Sequence, residues 1–123
     1  MSPKTILIVE DNRLNMKLLE VLLEGQSDAL IKTTFGLEAV TIARQTRRDL
    51  ILLDIQLPDL SGFDVARRLK ADAVTRSIPI MAVTAFAEPE HEQKAIESGC
   101  DGYMVKPIRV TDFLREVANF LSR

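Results

Sequence analysis

Two hydrophobic patterns alternate along the 123 residues. Short β-branched runs, Ile6-Leu7-Ile8-Val9, Leu50-Ile51-Leu52-Leu53 and Ile78 through Val83, show no in/out alternation. Such runs predict strands buried on both faces. Ala29 to Thr34 is more polar and predicts an edge strand, and Gly102 to Val105 predicts a short fifth. Helical spacing fills the gaps. Asn12 to Glu24 predicts a first helix, stopped by Gly25. Leu37 to Thr46 predicts a second, with Leu37, Val40 and Ala43 on one face. Ser61 to Ala71 predicts a third, with Val65, Ala66 and Leu69 inward. The fourth starts with Pro89 in its first turn and ends at Gly99. The fifth, Thr111 to Leu121, carries Phe113, Val117, Phe120 and Leu121 at helical spacing.

Strand–helix alternation with buried strands predicts one α/β domain, a doubly wound parallel sheet with helices on both faces. For five strands the expected order is 2-1-3-4-5. In such sheets ligands bind beyond the carboxyl ends of the strands. Strand one runs into Glu10-Asp11, strand three into Asp54, strand four into Thr84 and strand five into Lys106-Pro107. Each alone has a plain structural use: Asp11 as a helix cap, Asp54 in an Asx turn, Thr84 bonded to backbone, Lys106 as a surface lysine. Together they place three acids, a hydroxyl and an ammonium at one rim.

That set suits one chemistry. Clustered carboxylates are costly to keep ionised together, and a hard divalent cation relieves the cost. Asp54 can then attack phosphorus and become an acyl phosphate. A metal and Lys106 neutralise the phosphoryl oxygens, and Thr84 donates a hydrogen bond to one of them. A flavin or nucleotide site on the same topology wants a glycine-rich phosphate cradle after strand one, where Glu10-Asp11-Asn12 stands instead.

Composition acts by exclusion. Hydrophobic residues make up 46% and charged residues 28%, ordinary for a globular chain. A net charge of -2 offers no broad basic field for nucleic acid. The pairs Arg47-Arg48 and Arg67-Arg68 are expected on solvated surface. The single cysteine, Cys100, forms no internal disulfide, reads as a small core residue and fits a reducing, cytoplasmic home. The start, Met1-Ser2-Pro3-Lys4, has no signal-peptide shape, and no stretch is long enough to cross a membrane. His91 lies in the polar fourth helix, and no functional role is expected of it.

The segments Ile6-Leu7-Ile8-Val9-Glu10-Asp11-Asn12, Leu52-Leu53-Asp54-Ile55-Gln56-Leu57-Pro58, Ser61-Gly62, Val83-Thr84-Ala85 and Tyr103-Met104-Val105-Lys106-Pro107 together resemble the receiver domains of two-component response regulators. The resemblance spans essentially the whole chain. It implies a flavodoxin-like, CheY-like fold. Asp54 is then the phosphoacceptor and a ligand of Mg²⁺, or of Mn²⁺ in its place. Asp11 binds the metal directly, Glu10 through water, and Gln56 through its backbone carbonyl. Thr84 and Lys106 become the phosphate-sensing pair, Tyr103 the switch aromatic, and Lys106-Pro107 a cis peptide. Gln56 and Phe86, two residues beyond Asp54 and Thr84, are positions that affect phosphoryl lifetime, and a bulky Phe86 is expected to slow attack by water. The fourth helix, with mainly Ala95 and Ile96 to pack, is the expected moving part. Gln26-Ser27-Asp28 departs from the usual pattern and leaves the entry to strand two open.

The last apolar face ends at Leu121, so residues 1–123 are expected to form a single receiver of the stand-alone DivK-like type. A receiver fragment of a hybrid histidine kinase is the alternative. Implied partners are a histidine kinase or histidine phosphotransfer protein and a downstream protein target, with no nucleic acid and no membrane insertion. Such a domain is no enzyme: it assists only its own phosphorylation and dephosphorylation. The first helix adds a hint of its own. Its polar stripe, Arg13, Lys17, Glu20 and Glu24, is narrow, and apolar residues from Leu14 to Leu23 cover more arc than one sheet face can bury. Packing on the fifth helix and docking of a four-helix histidine donor both account for it.

Overall fold

Leu50–Asp54 and Ile80–Thr84 are buried at every residue, so they must lie inside a sheet covered on both faces. The computed structural model describes residues 4–45, 48–85 and 87–122. It alternates β1 (Thr5–Val9), α1 (Arg13–Leu22), β2 (Ala29–Thr33), α2 (Gly36–Gln45), β3 (Leu50–Asp54), α3 (Gly62–Ala71), β4 (Ile80–Thr84), α4 (Pro89–Ser98), β5 (Gly102–Val105) and α5 (Val110–Leu121). All strand pairs are parallel and the order is β2-β1-β3-β4-β5. β2 is the polar edge, as its sequence predicts, and β5 the other.

Two cores sandwich the sheet. Ile6, Ile8, Leu50, Leu52, Met81 and Val83 meet Leu19 and Leu23 of the first helical segment and Phe113, Val117, Phe120 and Leu121 of α5. Leu7, Val9, Ile51, Leu53 and Ile80 meet Ala39 and Ala43 of α2 and Val65, Ala66 and Leu69 of α3. Period-2 strand geometry assigns alternate residues of each strand to opposite cores. A smaller cluster of Ile55, Phe63, Ala82 and Ala95 lies under α4, with Cys100 and Tyr103 against it.

Several sequence expectations need correction. α1 ends at Leu22, three residues before Gly25, which takes a positive φ of 82° in the turn beyond. Strand four begins at Ile80, although Ile78 is buried beside it. In α2 the inward residues are Gly36, Ala39 and Ala43, while Leu37 is half exposed. A distant residue sets that phase: the Asp59 carboxylate accepts from the backbone N–H of Gly36 at 2.8 Å and of Leu37 at 3.0 Å, capping α2 across 22–23 positions. These bonds, the one from Leu37 foremost, hold the Asp59 carboxyl below its ordinary value. Thr46, the expected end of α2, lies outside the described residues. Ile96 is exposed, so α4 buries only Ala95 and Ser98. Arg67 and Arg68 are exposed as expected, but Arg48 is buried; Arg47 lies outside the described residues.

Candidate functional site

Parallel register brings the rim together. Val9 pairs with Leu53, so Glu10 and Asp54 leave neighbouring strands at the same level. Asp54 pairs with Val83, and Thr84 with Val105, which aligns Thr84 and Lys106 one and two strands further along. The Lys106 N–H donates to the Thr84 carbonyl at 2.7 Å, continuing the ladder past β5. The Lys106–Pro107 peptide is cis.

Lys106 Nζ lies 2.9 Å from Glu10 Oε1 and 3.4 Å from Asp54 Oδ2. Glu10 is 1% exposed and Asp54 6%. One oxygen each from Glu10, Asp11 and Asp54 lies within 4.8 Å of the others, and Asp11 is exposed to solvent. Burial, reinforced by the neighbouring Asp54, pushes the Glu10 carboxyl up to about 7, although Lys106 and the Asn12 N–H pull the other way. Burial alone lowers the Lys106 ammonium, but its hydrogen bond to Glu10 and the charges of Asp54 and Glu10 outweigh that and hold it above an ordinary lysine. One ammonium therefore serves two buried acids with a third beside them. This donor set, all hard oxygen and short of positive charge, fits a divalent cation.

Two of the plain structural uses are also realised or reassigned. Asp54 Oδ1 accepts from the Gln56 N–H at 3.1 Å, an Asx turn that orients the carboxylate and leaves Oδ2 toward Lys106. The cap of α1 is Asn12, whose side chain accepts from the Asn15 N–H at 2.9 Å, which leaves Asp11 uncommitted to capping. Gln56 bridges to Ser61 across the loop after β3. Thr84 is fully buried at the end of β4. Tyr103 is half-buried on β5, and burial, followed by the charges of Glu92 and Glu88, raises its hydroxyl. His91 faces Glu88 on α4, with 3.2 Å between Nδ1 and Oε2. Burial lifts the Cys100 thiol to about 11, which suits an inert packing residue. Phe86 lies outside the described residues.

In the sequence Gly62 is visible only as part of the Ser61-Gly62 motif. A Cβ there would lie 2.4 Å from the Asp54 carbonyl oxygen and 2.7 Å from Ile55 Cα. Only glycine lets the start of α3 press against the chain that presents Asp54. Ser61 caps the helix by accepting from the Phe63 N–H at 3.1 Å, and Gly62 donates its own N–H to Ile55 at 2.8 Å. The Lys94 ammonium lies 5.0 Å from the centre of the Phe63 ring, a contact between α4 and α3 that nothing local in the sequence signals.

A sequence model of the response regulator receiver domain matches residues 6–118. The chain belongs to the response regulator receiver family. This receiver is 48% identical over 120 residues to the polar-differentiation response regulator DivK of Brucella anthropi, covering 98% of each chain. It is 47% identical to DivK of Brucella ovis, covering 97% of each. Among solved structures, the receiver domain of a sensor histidine kinase from Pseudomonas aeruginosa, with magnesium coordinated in its active-site cleft, matches with a TM-score of 0.89 at 29% identity, covering 99% of this receiver and all of that chain. The Mn²⁺-bound form of response regulator Rcp1 matches with a TM-score of 0.81 at 28% identity, covering 98% of this receiver and 93% of that chain. The receiver fold and a role in two-component signalling are thereby established. Among the described residues no helix is long and apolar enough to cross a membrane.

Proposed function

We propose that Asp54 of this receiver accepts a phosphoryl group from a phosphohistidine donor, in a reaction that needs Mg²⁺, or Mn²⁺ in its place. The observation that carries it is the Lys106 ammonium held between Glu10 and Asp54 at 2.9 and 3.4 Å. An Asp54 carboxylate oxygen attacks phosphorus, a P–O bond forms, and the P–N bond to the donor histidine breaks with its electron pair leaving on nitrogen. Lys106 pairs with the carboxylate before the reaction and with a phosphoryl oxygen after it. Asp11 and Asp54, the Gln56 carbonyl, and Glu10 through water are the groups to hold the cation. When bound, it neutralises charge on the transferring oxygens. Thr84 donates its hydroxyl to the phosphoryl group, and Tyr103 follows it inward, re-aiming α4 and β5 toward a downstream protein. No separate substrate is turned over, and the setting is cytoplasmic.

Leu14, Leu18 and Val21 stand exposed at i, i+4 and i+7 of α1, with Leu14 82% exposed. Packing on α5 therefore does not account for this stripe, and it is the surface proposed to dock a histidine kinase or phosphotransfer donor. Kinship to DivK at 47–48% identity favours a DivK-like regulator over a fragment of a hybrid kinase.

Intact mass after exposure to acetyl phosphate with Mg²⁺ tests the phosphoacceptor. The wild type gains one phosphoryl group, Asp54→Asn gains none, and EDTA prevents the gain. Modification of Asp54→Asn, or none of the wild type, refutes the assignment. Leu14→Lys with Leu18→Lys slows transfer from a protein donor and spares acetyl phosphate; equal loss with both refutes docking.

A further inference from the structure

Arg48 stands just before β3, at the amino rim of the sheet, opposite Asp54. It is 7% exposed, and its buried Nε has no hydrogen-bond partner. The guanidinium makes a single 3.5 Å hydrogen bond, to the Ile42 carbonyl, and no ion pair among the described residues. A guanidinium carries five N–H donors, and burying one without an anion is strongly unfavourable. The neighbouring acids do not supply that anion. Asp101 Oδ2 accepts from Lys70 Nζ at 3.0 Å and from the Ile80 N–H at 2.8 Å. Asp49 Oδ2 accepts from the Thr5 N–H at 2.8 Å.

Arg48, Asp49 and Asp101 line a cavity of about 230 Å³, and so does Lys4, whose ammonium makes no ion pair among the described residues. The lining carries two cations, Arg48 and Lys4, and two acids, Asp49 and Asp101, and Lys70 just outside it pairs with Asp101. The Arg48 Nε–H, buried without an acceptor, is the group that calls for an anion. Pro79, Phe120 and Leu121 supply an apolar wall. A cavity of roughly 150 Å³ can hold benzene, so this one has room for a small organic anion. We propose that the amino-rim cavity binds a small aliphatic carboxylate, its charge on Arg48 and Lys4 and its hydrocarbon on the Phe120–Leu121 wall. The planar guanidinium matches a carboxylate in shape, and the hydrocarbon wall has nothing to offer a phosphate. The site is independent of Asp54 chemistry.

The test is a ¹H–¹⁵N NMR titration with sodium butyrate and, separately, sodium phosphate, each beside NaCl at matched ionic strength. Butyrate should produce saturable shifts at the Arg48 Nε–H and the amides of Lys4, Asp49 and Leu121, leaving those of Glu10 and Asp54 in place. Arg48→Gln should abolish saturation, and Lys4→Gln should weaken binding about 2- to 5-fold. Shifts that never saturate, that NaCl reproduces, or that persist unchanged in Lys4→Gln overturn the site. If Arg48→Gln fails to fold, the Lys4→Gln result decides. Saturation with phosphate alone overturns the carboxylate assignment.

Discussion

Helices α3 and α4 are neighbours of ten residues each, yet they are held very differently. α3 buries Gly62, Phe63, Val65, Ala66 and Leu69 and begins on a Ser61 side-chain cap. α4 buries Ala95 and Ser98, and its Glu88 cap makes no side-chain hydrogen bond. One contact that ties it to α3 is an exposed lysine over a ring. The difference separates two duties. α3 is part of the scaffold that fixes Asp54, because Gly62 abuts the Asp54 carbonyl. α4 buries little to hold it in place, which suits the output role proposed for it.

The contrast can be broken first at its strong end. Leu69→Ala should cost about 2–5 kcal/mol in urea unfolding, and a loss under 1 kcal/mol would contradict a well-packed α3. The buried rim supplies the next effect. The Glu10 carboxyl sits at about 7 in the folded chain against 4.5 unfolded, so between those values the folded state holds a proton that the unfolded state lacks. Stability in EDTA should therefore fall by on the order of 3 kcal/mol as pH rises from about 4.5 to 7. Glu10→Gln should flatten that slope.

Gly62→Ala tests the contact of α3 with Asp54. It should cost about 1–3 kcal/mol and slow phosphorylation by acetyl phosphate, since backbone, not a flexible side chain, must give way. At the weak end, Lys94→Gln should lower stability by about 0.5–1 kcal/mol, with amide exchange quickened in α4 more than in α3. Smallest of all, Ile96→Ala should change stability by less than about 0.5 kcal/mol. A large loss there would mean that α4 is anchored after all.

The same contrast shows what could be read from the chain. The inward face of α5 and the residues of β3 were legible because their signals are local: a 3.6-residue period in one, an unbroken apolar run in the other. The five rim residues were legible because strand topology converts sequence position into place. The phase of α2 was not, since Asp59, 22–23 positions away, sets where that helix begins. Nor was the burial of Arg48, a charged residue whose surroundings come from the residues just before β1, β4 and β5, from α5 and from Ile42 of α2. Gly62 carried only the signal of a small residue; its reason lies in a backbone contact seven or eight positions back.

Lys106 has a consequence for the newly made chain. Glu10 and Asp54 emerge from the ribosome long before residue 106, and their sheet positions are specified by β1 and β3 alone. Until β5 docks, any partial sheet confines two acids with no ammonium beside them. An unfinished polypeptide is thereby discouraged from closing its acidic cleft.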